Sequence, residues 1–143
     1  MDEVKVYTYS SIRGPGKKAG AYGYILETGT AAGPATLTCF GHLDGATENQ
    51  AEITALLMAA RRLTRPCRLE IYTESAHLYA GVNGWMEEWE AAGWTNKKGE
   101  PVKNRELWQQ LKKALADHET GMHLKESHPY RDWLKRETER RRK

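Results

Sequence analysis

Three runs of alternating apolar and polar side chains follow one another with only short turns between them, and then the period of the pattern changes. Val4, Val6 and Thr8 alternate with Lys5, Tyr7 and Tyr9, the pattern of a half-buried strand. Gly14-Pro15-Gly16-Lys17-Lys18 reads as a turn, and further strands are expected over Ala21–Thr28 and Ala35–His42. Connections this short permit only antiparallel neighbours, so the three strands form a meander. From Glu48 to Leu63 the period becomes helical, with Ile53, Leu56, Ala60 and Leu63 on one face and Pro66 as the stop. Arg68–Thr73 is a fourth strand. Helices follow over Ser75–Gly81, Trp85–Ala91 and Asn104–Asp117, then a short strand over Thr120–Lys125 and a last helix from Tyr130. This order predicts an α/β chain with a five-stranded mixed sheet, first an antiparallel meander and then parallel strands, flanked by helices.

The chain has 143 residues, enough for one domain with a substantial core. Its apolar runs, such as Ala55–Ala60, are too short to span a bilayer, and Met1-Asp2-Glu3-Val4-Lys5 lacks the basic-then-apolar pattern of an export signal. Cys39 and Cys67 lie far apart without metal-clip spacing, which fits a reduced pair. A cytoplasmic monomer without membrane contact is therefore expected. Net charge is only +3, so the placement of charge carries more information than its sum. Basic side chains gather in Lys97, Lys98, Lys103 and Arg105 and again from Arg131 onward. Such clusters suit phosphates, although a basic helix end also suits the helix dipole.

Between Gly81 and Trp108 the tryptophans Trp85, Trp89, Trp94 and Trp108 accompany Pro101-Val102-Lys103-Asn104. Trp85 and Trp89 share a helix face, Gly93 can close that helix, Asn96–Gly99 makes a polar turn, and Asn104 can cap the next helix. Three carboxylates draw notice. Glu52 falls on the apolar stripe of its helix, where an acid is costly without a metal, a proton or another partner. Its alternative role is that of an early-turn acid favoured by the dipole. Glu74 ends the fourth strand, either as a ligand or as a cap for the next helix. Asp132 lies in the first turn of the last helix.

These features together resemble type 1 ribonuclease H. The tryptophan tract, at about 81–108, resembles that family's substrate-gripping handle. Thr47-Glu48-Asn49-Gln50-Ala51-Glu52 resembles its T-x-N-x-x-E helix start, Thr73-Glu74-Ser75 its T-D-S, and Asp132-Trp133-Leu134-Lys135-Arg136 its D-x-L-x-R. The resemblance implies a single ribonuclease H-like domain that hydrolyses the RNA strand of RNA/DNA hybrids with Mg²⁺ or Mn²⁺. Glu52, Glu74 and Asp132 would hold metal, and His128 would take over the proton-shuttling or product-release role of a loop histidine. Arg13, Asn49, Gln50, Trp85, Lys97, Lys98 and Lys103 would contact substrate, with Asn49 alternatively a helix cap and Trp85 alternatively packing. Glu87, Glu88 and Glu90 in the handle imply modest hybrid affinity with a shallow salt dependence.

One departure is serious. The family's first strand carries T-D-G-S, whose Asp bridges two metal ions, and this chain reads Thr8-Tyr9-Ser10-Ser11. A neutral phenol is a poor ligand for a hard cation. The resemblance therefore admits two functions: a weakened, Mn²⁺-preferring nuclease, or a non-catalytic module binding hybrid, duplex RNA or a protein partner.

Overall fold

The computed structural model describes residues Met1–Lys143. Five strands form one sheet in the order β3-β2-β1-β4-β5. They are β1 (Asp2–Ser10), β2 (Lys18–Thr30), β3 (Gly33–Ala46), β4 (Cys67–Thr73) and β5 (Glu119–Leu124). The first three pair antiparallel, while β4 pairs parallel with both β1 and β5. The mixed sheet expected from the sequence is thus the one observed. β2 and β3 run further than expected, as a long hairpin that turns at Thr30–Gly33, with Gly33 at φ +112°.

Alternation along β1 sorts its side chains between two layers. Val4 and Val6 face α1 (Glu48–Ala60) and join the main core with Leu69 and Ile71 of β4. Tyr7 faces the other side and packs with Ile25 and with Leu134 of α5 (Arg131–Arg140). α1 is buried on more than the single stripe read from the sequence: Ala51, Ile53, Ala55, Leu57 and Ala59 are all inside. It is sandwiched between the sheet and α4 (Arg105–Leu115), so two faces are covered. It also stops at Ala60, short of Leu63. No helix is long and apolar enough to cross a membrane.

The two helices expected over Ser75–Ala91 are one continuous element. α2 (Ala76–Ala80) runs through a π-helical turn over Gly81–Trp85 into α3 (Met86–Ala91). Ser75 caps its start by accepting from the Leu78 N–H, and Gly93, at φ +73°, follows its end. Trp89 sits at the centre of an aromatic stack, with ring centroids 5.7 Å from Trp85, 6.4 Å from Trp94 and 5.4 Å from Trp108. Asn104 precedes α4 in a left-handed conformation, φ +61°, but its side chain does not cap that helix. It accepts instead from Gln50 Nε2 at 3.1 Å, tying the tryptophan tract to the start of α1.

Gly81 allows α2 to lie against the fully buried Trp108. A methyl group there would sit 2.1 Å from the indole Cη2, so one of the two elements must move. Gly81→Ala is expected to cost about 1–3 kcal/mol of stability through overpacking. Gly84→Ala, which meets no atom within 4 Å, should be neutral or mildly stabilising. Urea denaturation of the two variants beside the parent checks the contrast.

Candidate active site

The parallel pairing of β1 and β4 brings their C-terminal ends to the same edge of the sheet. α1 starts on one side of that edge and α5 on the other, and a cavity of about 420 Å³ opens between them. Its walls include Glu52 from the second turn of α1, Glu74 from the residue after β4 and Asp132 from the first turn of α5. Tyr9 of β1 is its only hydrophobic lining residue. Three acids far apart along the chain are therefore gathered at one polar site, with no apolar plug between them.

Glu52 is 2% exposed. Its Oε1 receives a long contact of 3.4 Å from Arg13 Nη1, and its Oε2 is buried with no hydrogen bond at all. Burial raises its pKa to about 7; Arg13 opposes the shift, while Glu48 and Glu74 add to it. Glu74 is held differently. Arg131 Nη2 donates to its Oε1 at 2.7 Å across the mouth of the cavity. Asp132 is exposed.

Tyr9 stands in the cavity wall, and its hydroxyl donates to Glu139 Oε1 of α5 at 3.4 Å. Burial raises the phenol's pKa, partly countered by Arg13, so it stays neutral. The Arg13 guanidinium lies 5.0 Å from the centroid of its ring. As the side chains stand, no three Asp, Glu, His or Cys residues form a metal-ligating cluster.

Four lining residues were not singled out from the sequence: Glu48, Lys125, Arg131 and Lys135. Glu48 precedes Glu52 by one helical turn, and Lys135 follows Arg131 by one, so both pairs carry the four-residue spacing of a shared face. That signal was present. Lys125 gives no such signal, since its position depends on the backbone bond from its N–H to the Thr73 carbonyl at 2.9 Å.

Other expected contacts fall elsewhere. His128 does not line the cavity: its ring stacks on Tyr7 with centroids 4.2 Å apart, and its Nδ1 accepts from the Tyr130 N–H at 3.2 Å. Burial lowers its pKa. A histidine packed between strand and loop in this way departs from the loop-borne proton carrier that the resemblance implies. Gln50 is also committed. Its Oε1 accepts from the Thr47 N–H in a capping box while its Nε2 bonds Asn104. Thr47, not Asn49, is the N-cap of α1, which leaves Asn49 half-buried beside it. Trp85 is 39% exposed on the tryptophan tract. Lys97, Lys98 and Lys103 are exposed on that tract, outside the cavity.

Comparison with known proteins bears on the fold and the family. The sequence profile of the RNase H family matches residues 1–129. Ribonuclease H of Cupriavidus necator is 35% identical over 129 residues, covering 90% of this chain and 85% of that protein. Ribonuclease H of Rickettsia bellii is 37% identical over 119 residues, covering 82% and 73%. Among solved structures, LC9-RNase H1, described as a type 1 RNase H with the type 2 active-site motif, matches with a TM-score of 0.79. That match covers 94% of this chain and 69% of the other at 22% identity. The PFV RNase H domain matches at 0.70, covering 97% and 92% at 19% identity. At such identities the structural matches speak for the fold alone. The profile match stops before α5, so the place of Asp132 rests on the cavity rather than on the profile. By profile and by relatives along most of its length, the chain belongs to the RNase H family.

Proposed function

We propose that this protein is an endoribonuclease that hydrolyses the RNA strand of RNA/DNA hybrids, assisted by Mg²⁺ or Mn²⁺, with activity lowered by Tyr9. The observation that carries this reading is the convergence of Glu52, Glu74 and Asp132 on one cavity that also holds Arg13, Lys125, Arg131 and Lys135. The acids offer oxygen ligands to a hard cation, and the bases offer charge to a phosphodiester. The buried, unbonded Oε2 of Glu52 supports a cation, because once ionised that carboxylate is compensated only by the long contact from Arg13 to its other oxygen. Glu52, Glu74 and Asp132 would have to draw together to hold one divalent ion, since they form no ligating cluster as the side chains stand. The donor set does not suit a carboxylate-bridged pair, since Tyr9 has no anionic oxygen to share.

A divalent ion bound there would lower the pKa of a water molecule and stabilise the leaving oxygen. The protein's own groups do the rest. Glu52, Glu74 and Asp132 bound the reacting region from α1, the end of β4 and α5. Arg131 and Lys135 meet the scissile phosphodiester, and Arg13 and Lys125 neutralise its neighbours. Asn49 reads a 2′-hydroxyl, which DNA lacks. Gln50 holds the tryptophan tract in place rather than reading the strand. Trp85, Lys97, Lys98 and Lys103 meet the backbone of the hybrid beyond the cavity. His128 positions the loop before α5 through its stack on Tyr7. A non-catalytic hybrid-binding module is the second reading, favoured by the Tyr9 ring in the cavity wall.

Mn²⁺ is expected to support more cleavage than Mg²⁺. Mg²⁺ demands near-ideal octahedral geometry, and Glu74 is one methylene longer than an aspartate. A labelled hybrid incubated with either metal tests this, and product no greater than that of a Glu52→Gln control sinks the catalytic reading in favour of binding alone.

Tyr9→Asp restores an anionic oxygen to the cavity wall and should raise cleavage by about ten-fold or more, roughly 1.4 kcal/mol of barrier. Single-turnover rates with saturating hybrid give the comparison.

Stability without divalent metal should depend on Glu52. Below its ordinary pKa of 4.5 both folded and unfolded chains carry the proton, and between there and about 7 only the folded chain keeps it. Unfolding then releases a proton, so stability falls as pH rises through that window and levels off above it. The loss is on the order of 3 kcal/mol. Glu52→Gln should remove that part of the pH dependence. Urea denaturation in a chelator at pH 5 and pH 8, for both proteins, provides the difference.

A further inference from the structure

We propose that Arg13 is a resident counter-cation of the acidic cavity, seated on Tyr9 and paired with Glu52, and that a divalent ion binds at Glu52 only by displacing it. The inference rests on the reading of Glu52 as a metal ligand.

Several contacts build the seat. Arg13 follows Ile12, which is 2% exposed and fixes the start of the β1–β2 loop. Arg13 Nη1 donates to the Ile12 carbonyl at 2.8 Å and reaches Glu52 Oε1 at 3.4 Å. The guanidinium carbon lies over the Tyr9 ring, 5.0 Å from its centroid. Lys18 Nζ donates to the Arg13 carbonyl, and the next N–H, that of Gly14, donates to Glu48 Oε2 at 3.1 Å. The loop is therefore tied to α1 through Gly14 and to the start of β2 through Lys18. Tyr9 supplies an aromatic platform that attracts a cation without competing for it as a ligand.

The same contacts make the cation displaceable. The Glu52 side chain is 3% exposed, whereas that of Arg13 is 41% exposed, so the acid is fixed and the base has a path to solvent. The contact with Glu52 is long for a charge-assisted bond, and it leaves Oε2 unbonded. A divalent ion bonded to Glu52 would stand within a few ångströms of the guanidinium. Like charges that close, beside a buried carboxylate, exclude one another. Arg131 stands over Glu74 in a parallel arrangement, but at 2.7 Å it makes a full-strength bond. The weaker of the two pairs is thus the one that gates the buried acid. The substitution at Tyr9 acquires a positive meaning: it removes a bridging ligand and adds a seat for a cation that the chain itself provides.

Mn²⁺ binding to the full chain, without nucleic acid, distinguishes the possibilities. The free ion is measured by electron paramagnetic resonance for the parent, R13Q, E52Q and the double variant, with far-UV circular dichroism to confirm folding. R13Q is expected to bind about ten-fold more tightly than the parent, equal to ~1.4 kcal/mol. The double variant is expected to fall to the level of E52Q. R13Q binding no tighter than the parent overturns the proposal. So does a double variant that keeps the gain, because the ion would then lie away from Glu52. The metal reading is judged separately: if E52Q binds as well as the parent and R13Q gains nothing, that reading fails with it. A parent that binds better than E52Q while R13Q gains nothing overturns the gate alone.

Discussion

A carboxylate buried with one oxygen weakly paired and the other unbonded is the constraint around which this protein is arranged. Glu52 contributes nothing to folding from that position. Burying an ionised acid costs free energy unless it is paired and hydrogen-bonded, and Glu52 has half a partner. The surrounding structure supplies the compensation. Thr47 and Gln50 close a capping box at the start of α1, and the helix is buried against the sheet on one side and α4 on the other. A helix held so firmly can carry an unfavourable group to the edge where β1 and β4 end. Nothing in the packing requires an acid there, so its presence points to chemistry rather than to stability.

The charge in the cavity is balanced by the chain itself. Glu48, Glu52, Glu74 and Asp132 face Arg13, Lys125, Arg131 and Lys135. A site built only to chelate would be acidic, and one built only to hold phosphate would be basic. Interleaving the two lets a cation and a phosphodiester approach the same space, each meeting its own partners. It also means that two of the acids are already engaged. Glu74 is bonded to Arg131 and Glu52 touches Arg13, so binding exchanges partners instead of adding contacts. Exchange costs less in desolvation than pairing from water, but it also returns less net affinity.

Legibility in the sequence followed physical range. Alternation located β1 because burial on a known face fixes which residues can alternate. The helical period found α1 but not its full burial, since a stripe of Ile53, Leu56 and Ala60 does not reveal that α4 covers a second face. The π turn at Gly81–Trp85 left no readable period; it depends on Gly81 meeting Trp108 across the structure. The three acids were legible through motif resemblance, and Glu52 also through its place on the apolar stripe. Gln50 and His128 show the limit of that route. Their identities and spacing fit substrate contact and proton transfer, yet their hydrogen bonds and stacking go to Asn104, Thr47, Tyr7 and Tyr130. A motif names a residue type at a position; the partners of its side chain come from tertiary contacts. Tyr9 was legible as a departure. The guanidinium resting over it was not, because Arg13 reaches it from the neighbouring loop.

The Gln50–Asn104 bond has a consequence for recognition that neither motif carries alone. Asn104 holds a left-handed conformation, unfavourable for a residue with a side chain, at the junction between the tryptophan tract and α4. Its amide oxygen meets Gln50, two residues before Glu52, on the same helix that supplies Glu48 to the cavity. A single side-chain bond therefore fixes the exposed Lys97, Lys98 and Lys103 relative to the acids. Under the proposed function, a backbone gripped at the tract would lie in a set position relative to Glu52. The acidic residues Glu87, Glu88 and Glu90 on the adjoining helix limit how strongly that grip can form. The tract itself is held together by the tilted ring contacts that Trp89 makes with Trp85, Trp94 and Trp108.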